Sequence, residues 1–252
     1  MEYNERTYRE HLKKERWSTF TVIYKESDLW IGVDNESYDL EMAVYALSCT
    51  KVLRDEMDLY LLRDPGYATA LAPYTPAADA PEIFKAMAIA ARQAGIGPMS
   101  AVAGAVAHRV AMQVKERFHA KEIIVENGGD IYADIREEMD IMVFAGSSPL
   151  SGRVGLTVQA AESPLGICTS SGTVGPSLSF GKADAVMIIC RDAALADSYA
   201  TAFGNCIQTK EDIDPCMEKM AQIKEIIAAI CIKEDKIGII GKFDLKIGSP
   251  TT

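Results

Sequence analysis

The sequence predicts an α+β fold, and three observations carry that reading. Strand-like segments gather near the start, middle and end of the chain instead of alternating strictly with helices, which favours α+β over a doubly wound parallel sheet. The run Ser100-Ala101-Val102-Ala103-Gly104-Ala105-Val106-Ala107 is small or apolar on every side of a helix, so it predicts a helix buried at the centre of the fold. Finally, Glu126-Asn127-Gly128-Gly129-Asp130 interrupts strand sequence, Lys121 to Val125 before it and Ile131 to Ala133 after it. Two glycines permit positive φ or a close approach. They mark a tight hairpin turn or a site held at a strand end.

The remaining elements follow in order. Thr19 to Tyr24 and Asp28 to Val33 read as a hairpin joined at Lys25-Glu26-Ser27. From Tyr38 to Leu62 the pattern is helical, with Leu40, Val44 and Leu47 at i, i+4 and i+7 as its apolar positions. Asp64 to Ala80, with Pro65, Gly66, Pro73 and Pro76, is a long connection, and a helix should then run from Pro81 to Gly95. Gly97-Pro98 opens the central helix, which continues to about Phe118. Strands are expected near Asp140 to Phe144, around Gly155 to Ala160 and at Ala183 to Cys190. Asp192 caps a compact helix that Gly204-Asn205 can end. An amphipathic helix over Pro215 to Ala229 and strands at Lys236 to Ile240 and Phe243 to Ile247 complete the chain.

Bulk properties exclude several classes. A net charge of −10 argues against a nucleic-acid partner, because phosphates need a basic surface. Six cysteines without a CxxC pair read as packed, reduced thiols. The charged stretch Met1 to Trp17 lacks the apolar core of a signal peptide. No apolar run reaches the ~18 residues of a membrane span. These features together predict a cytoplasmic protein with no membrane partner; a homo-oligomer or a protein partner is left open.

Chemistry-bearing candidates are few. Asp197 and Thr201 stand four apart on one side of the helix that begins at Asp192, among Ala193, Ala194 and Ala200. A carboxylate and a hydroxyl on adjacent turns suit a hard cation such as Mg²⁺, which keeps waters and substrate phosphates as further ligands. The competing reading has Asp197 capping a neighbouring turn. Cys168-Thr169-Ser170-Ser171-Gly172-Thr173-Val174-Gly175-Pro176 is rich in donors and suits a phosphate or a carbonyl, or is a polar surface loop. Gly175 to Lys182 has one residue too many for a P-loop, and no G-x-S-x-G elbow exists. Of His11, His108 and His119, only His108 adjoins the central helix's small-residue half, and no zinc pattern is present.

Three of these motifs, in this order, resemble the ApbE superfamily of FAD:protein FMN transferases. Asn127-Gly128-Gly129-Asp130 is similar to the family's Asn-x-Gly-Gly-Asp turn, Thr169-Ser170-Ser171-Gly172 to its Thr-Ser-Gly loop, and Ala196-Asp197 with Thr201 to its late helix. Ala103-Gly104-Ala105-Val106-Ala107-His108 resembles its Lys-Gly-aromatic-Ala-Val-Asp helix. The likeness covers about Pro81 to Asn205, and it is nearest to a short branch from archaea and anaerobic bacteria. It implies a single ApbE-like domain over 1–252 with a T-fold-like core, a mostly antiparallel sheet packed with helices around a cleft. It further implies that Asp197 and Thr201 hold Mg²⁺ beside the diphosphate of FAD or a related ligand. Asn127, Gly128, Gly129, Asp130, Thr169, Ser170, Ser171, Gly172, Gly104 and His108 would line the ligand.

The chain departs from the family pattern at three points. The helix motif lacks the lysine, His108 replaces the aspartate, and the family's His-Ile-Ile-Asp-Pro-x-Thr-Gly segment has no counterpart, Ser177 to Lys182 being a shorter loop. The resemblance therefore implies a cleft for a phosphorylated, flavin-type ligand, while flavin transfer loses its sequence support. The alternative reading is a non-catalytic partner protein in anaerobic sulfur or cofactor metabolism.

Overall fold

A computed structural model describes residues 15–173 and 179–248. Its centre is an eight-stranded sheet built from β1 (Trp17–Tyr24), β2 (Ser27–Asp34), β3 (Ile123–Asn127), β4 (Asp130–Asp134), β7 (Leu165–Ser170), β8 (Ala185–Cys190), β9 (Ala228–Lys233) and β10 (Lys236–Gly241), in that spatial order. Each neighbouring pair is antiparallel. A second, three-stranded antiparallel sheet is formed by β5 (Met139–Met142), β6 (Val154–Val158) and β11 (Asp244–Ile247). The α+β expectation with a mostly antiparallel sheet is met.

Strand periodicity divides the large sheet between two cores. Val186, Ile188 and Cys190 face the helices, as do Ile123 and Val125. Ala185, Met187 and Ile189, with Ile124, face the small sheet. Both faces are buried, so these strands read as unbroken apolar runs.

The helical layer comprises α1 (Met42–Arg63), α2 (Pro65–Thr69), α3 (Glu82–Ala94), α4 (Val102–Phe118), α5 (Ala193–Cys206) and α6 (Ile213–Met220). Gly95 ends α3 with φ +73°, and Asp192 caps α5 by accepting the Leu195 N–H at 2.8 Å. A 3₁₀ turn at Pro98–Ala101 leads into α4, whose Gly104, Ala105, Val106 and Ala107 are buried as expected.

Four expectations need correction. Leu40 and Val44 point to solvent; α1 buries Met42, Ala46, Cys49, Leu53, Met57 and Tyr60 instead. Leu47, the third predicted position, is half-buried against the core; the other two lie on the wrong side because α1 is apolar on two faces. The helix expected over Pro215 to Ala229 ends at Met220, and Ala228 to Lys233 is strand β9. Its apolar run is compatible with either period, and pairing on both sides with β8 and β10 decides for strand. The Asp64 to Ala80 connection contains the short helix α2, capped by Asp64. Cys168 to Ser170, read as loop, is the end of interior strand β7.

Candidate functional site

The Gly-Gly turn is a two-residue hairpin. Asn127 pairs with Asp130 across it, and Gly128 and Gly129 take φ of +69° and +104°. Such angles at both central positions are what glycine supplies without strain. Hairpin alternation directs Asn127 and Asp130 to the helical side of the sheet. There the Asn127 Nδ2 donates to the Ala103 carbonyl at 3.1 Å, tying the turn to the first turn of α4. The Glu126 carboxylate, on the other face, accepts the Gly129 N–H at 2.6 Å and closes the turn from behind.

Asp130 accepts the Thr169 N–H at 3.2 Å, so the end of β7 lies beside it. Cys168, one residue earlier, is fully buried and donates its thiol to the Ala193 carbonyl at 3.3 Å. This places α5 directly over the pair. Close approach there depends on two glycines: a Cβ at Gly166 would lie 2.2 Å from the Ala193 Cα, and one at Gly104 would lie 2.3 Å from the Ala193 oxygen. The alanine-rich side of α5 is thus the surface on which it packs against β7 and α4.

Asp197 projects from that side. Its Oδ2 accepts the Gly104 N–H at 2.9 Å, and the Ala103 amide also favours its charged form. Helix α4 has no side-chain cap of its own at Ala101, so Asp197 caps it from another element, where the helix dipole favours an anion. The capping reading of Asp197 is realised in this geometry. Burial nevertheless wins and pushes its pKa up to about 7. Asp130 is raised well above the usual carboxylate range, first by burial and then by the Asp197 charge. The Cys168 thiol is raised by burial and by both carboxylates. Two acids and a thiol are therefore buried side by side.

Thr201 follows one turn after Asp197, half-buried, and Gly204 follows on the same face. A Cβ at Gly204 would meet the Ser170 Oγ at 3.3 Å, so this face of α5 looks onto the end of β7. Strand alternation aims Cys168 and Ser170 at α5 and turns the Thr169 side chain to the opposite face, leaving its backbone at Asp130. The chain then leaves: the Gly172 N–H donates to the Ala183 carbonyl at 2.8 Å, and Thr173 Oγ1 reaches the buried Asp184 at 3.1 Å. Residues 174–178, which include Val174, Gly175, Pro176 and Ser177 of the expected loop, lie outside the described residues, as do Met1 to Lys14 with His11.

The structure thus brings together Asn127, Gly129, Asp130, the Thr169 backbone, Gly104 and Asp197, while Thr201 follows Asp197 by helical spacing on α5 and Ser170 lies beside Gly204 farther along that helix. Gly128 is exposed, and Ser171 and Gly172 pack toward Ala183. His108 stands apart. Its ring stacks on Tyr132 at 4.4 Å, with Nδ1 3.9 Å from the Asp192 carboxylate, and burial lowers its pKa. It lines a separate open groove of about 790 Å³ with Arg109, Met112, Gln113 and Glu116 of α4, Tyr45 of α1 and Ile83 of α3. Sequence reading missed Cys168 as a neighbour of the acids, and Gly166 altogether. The one signal was a glycine inside a strand, which marks a close backbone approach.

The fit to a divalent cation rests on the donor chemistry. Asp197, Thr201 and Asp130 offer hard oxygens, and the two carboxylates repel each other in a space that holds no compensating side-chain cation within hydrogen-bond reach among the described residues. No group of three His, Cys, Asp or Glu side chains forms a metal cage among them. An ion such as Mg²⁺ needs only one or two carboxylates and completes its shell from water or ligand phosphate.

Comparisons with known proteins agree with this architecture. A family model described as AbpE bacteria matches residues 9–224. The UPF0280 protein MJ1526 of Methanocaldococcus jannaschii is 38% identical over 90% of this chain and 91% of its own length. A UPF0280 protein of Methanocella arvoryzae is 39% identical over 75% of this chain and 77% of its own. Among solved structures, the apo flavinyl transferase ApbE of Pseudomonas stutzeri superposes with a TM-score of 0.56 at 11% identity, covering 91% of this chain and 95% of that one. The ApbE protein of Thermotoga maritima gives 0.53 at 12% identity over 88% and 96%. At that identity the likeness shows the fold. No helix among the described residues is long and apolar enough to cross a membrane. The resemblance read from the motifs is therefore a relationship, and the chain belongs to the ApbE-like family, beside its archaeal UPF0280 relatives.

Proposed function

We propose that this protein is a cytoplasmic ApbE-like protein that binds a phosphorylated, flavin-type ligand together with a divalent metal. Asp197 and Thr201 would hold the metal, with Asp130 beside them and the Asn127 to Gly129 turn and Ser170 on the ligand side. The observation that carries the proposal is the meeting of Asp130 and Asp197, 67 positions apart in sequence, as buried acids under the N-terminus of α4. Burial makes both hard to ionise, and the Asp197 charge adds to this at Asp130; a divalent cation is a partner that would favour the ionised form of each. When bound, the metal would supply positive potential for a diphosphate in a protein whose net charge is −10. The residues themselves would orient it: the Asn127 amide fixes α4 against the turn, and Thr201 adds a neutral oxygen one helical turn from the acid.

Calorimetric titration of the purified chain with FAD and with ADP, each with Mg²⁺ and with chelator, tests the proposal. Binding of one diphosphate that requires the metal, weakened at least about tenfold by Thr201→Val, is expected, since each lost metal or charged contact is worth about 1.5–3 kcal/mol. Metal-independent binding, or none with either nucleotide, would overturn it.

A further inference from the structure

Helix α1 carries apolar side chains that the described residues leave uncovered. Opposite its buried side, Val44, Val52, Leu59 and Leu62 are 73, 68, 67 and 80% exposed, and Leu40, in the turn before the helix, is 83% exposed. All five fall within about a third of the helical circumference, along a 22-residue helix roughly 33 Å long. Single surface leucines are ordinary, but five large exposed apolar side chains on one third of a helix, interrupted by Ser48, Lys51, Asp55 and Asp58, form a mixed surface suited to a partner that meets both its apolar and its charged positions. Ser48 and Asp55 complete the line. Asp55 brings no unpaired charge, because Lys25 Nζ lies 2.5 Å and the Tyr24 hydroxyl 2.8 Å from its Oδ1.

We propose that this line packs against α1 of a second copy of the chain, antiparallel, about a twofold axis passing beside Val52. The spacing is self-complementary in that direction. With Val52 against the partner's Val52, Val44 meets the partner's Leu59 and Leu40 meets the partner's Leu62, and each contact recurs by symmetry. Ser48 falls opposite the partner's Asp55, so no buried aliphatic contact is spent on the polar positions. The flanking charges select the same arrangement. Glu41 falls opposite the partner's Arg63, and Lys51 near the partner's Asp55, opposite signs in both cases. A parallel pairing would set Glu41 against the partner's Glu41 and Arg63 against the partner's Arg63, which is repulsive at both ends. Arg63 already uses one guanidinium nitrogen on the exposed Asp79 at 2.8 Å and has further donors for a second acid.

Sedimentation of the full-length chain across a concentration series tests this. The expected result is a dimer of twice the 27.4 kDa chain mass. Val52→Glu should convert it to a monomer that keeps the wild-type circular-dichroism spectrum and unfolds cooperatively, because within its own chain the side chain is exposed. Glu41→Arg and Arg63→Glu should each weaken the dimer about tenfold, two repulsive pairs being created per dimer, and the double variant should restore it. A wild-type monomer at every concentration would overturn the proposal. So would a dimer indifferent to Val52→Glu, and failure of the double variant to recover would rule out the antiparallel register.

Discussion

Asp197→Asn should stabilise the ligand-free protein increasingly as pH rises to about 7 and leave it nearly unchanged near pH 4, while abolishing metal-dependent binding. The magnitude follows from the ionisation of this carboxyl, moved by burial from an ordinary 3.8 to about 7. In the unfolded chain it ionises near 3.8, whereas in the folded protein it keeps its proton until about pH 7. Stability from this group is therefore fully present below 3.8 and drains away as pH rises to about 7. The loss is of the order of 4 kcal/mol by pH 8. Asparagine has nearly the same shape, keeps an acceptor for the Gly104 N–H and never ionises, so it should escape that loss. Asp197→Ala also escapes it but leaves the Gly104 N–H at the start of α4 without its cap. That should cost roughly 1–3 kcal/mol relative to the asparagine variant at every pH. Urea denaturation of the three proteins at pH 4, 6 and 8 reads these differences together with the easier ionisation of Asp130 once the Asp197 charge is gone, while groups remote from Asp197 cancel. Parallel stability curves for wild type and Asp197→Asn across that range would refute the buried, uncompensated carboxylate, and with it the electrostatic argument for a cation.

Three further outcomes follow from the same geometry. Metal binding at pH 6 to 6.5 should release protons, since the cation favours the ionised forms of Asp197, which titrates near 7, and of Asp130, which is also raised; calorimetry in buffers of different ionisation enthalpy would show a clearly non-zero slope, against zero if the pair is already ionised. Gly166→Ala should lower stability by about 1–3 kcal/mol or more by forcing α5 off β7, because its Cβ would meet the Ala193 backbone at 2.2 Å; an unchanged denaturation midpoint would contradict the packing. Native alkylation should modify Cys206 rapidly, while Cys49, Cys168, Cys190, Cys216 and Cys231 react only on unfolding; mass spectrometry of the labelled peptides distinguishes them.

Local chemistry made much of this protein legible in its sequence. The Asn127 to Asp130 turn was readable because consecutive glycines between two strands have few other uses. The Asp192 cap and the Gly95 stop were readable because capping needs only neighbouring backbone. Composition alone placed the alanine-rich half of α4 inside the fold. What the sequence left undetermined depended on partners distant in the chain. Nothing within the 228–233 segment distinguishes a buried strand from a buried helix; the free edges of β8 and β10 do. Both sides of α1 carry apolar residues, and only the position of the sheet shows which side is core. Cys168 read as loop chemistry until β4 and β8 pairing made it strand. Asp197 and Thr201 were visible as a pair from helical spacing. That Asp197 caps α4, lies near Asp130 and ionises only near neutrality is a consequence of three elements packing together around it, and burial is a property that no single segment possesses.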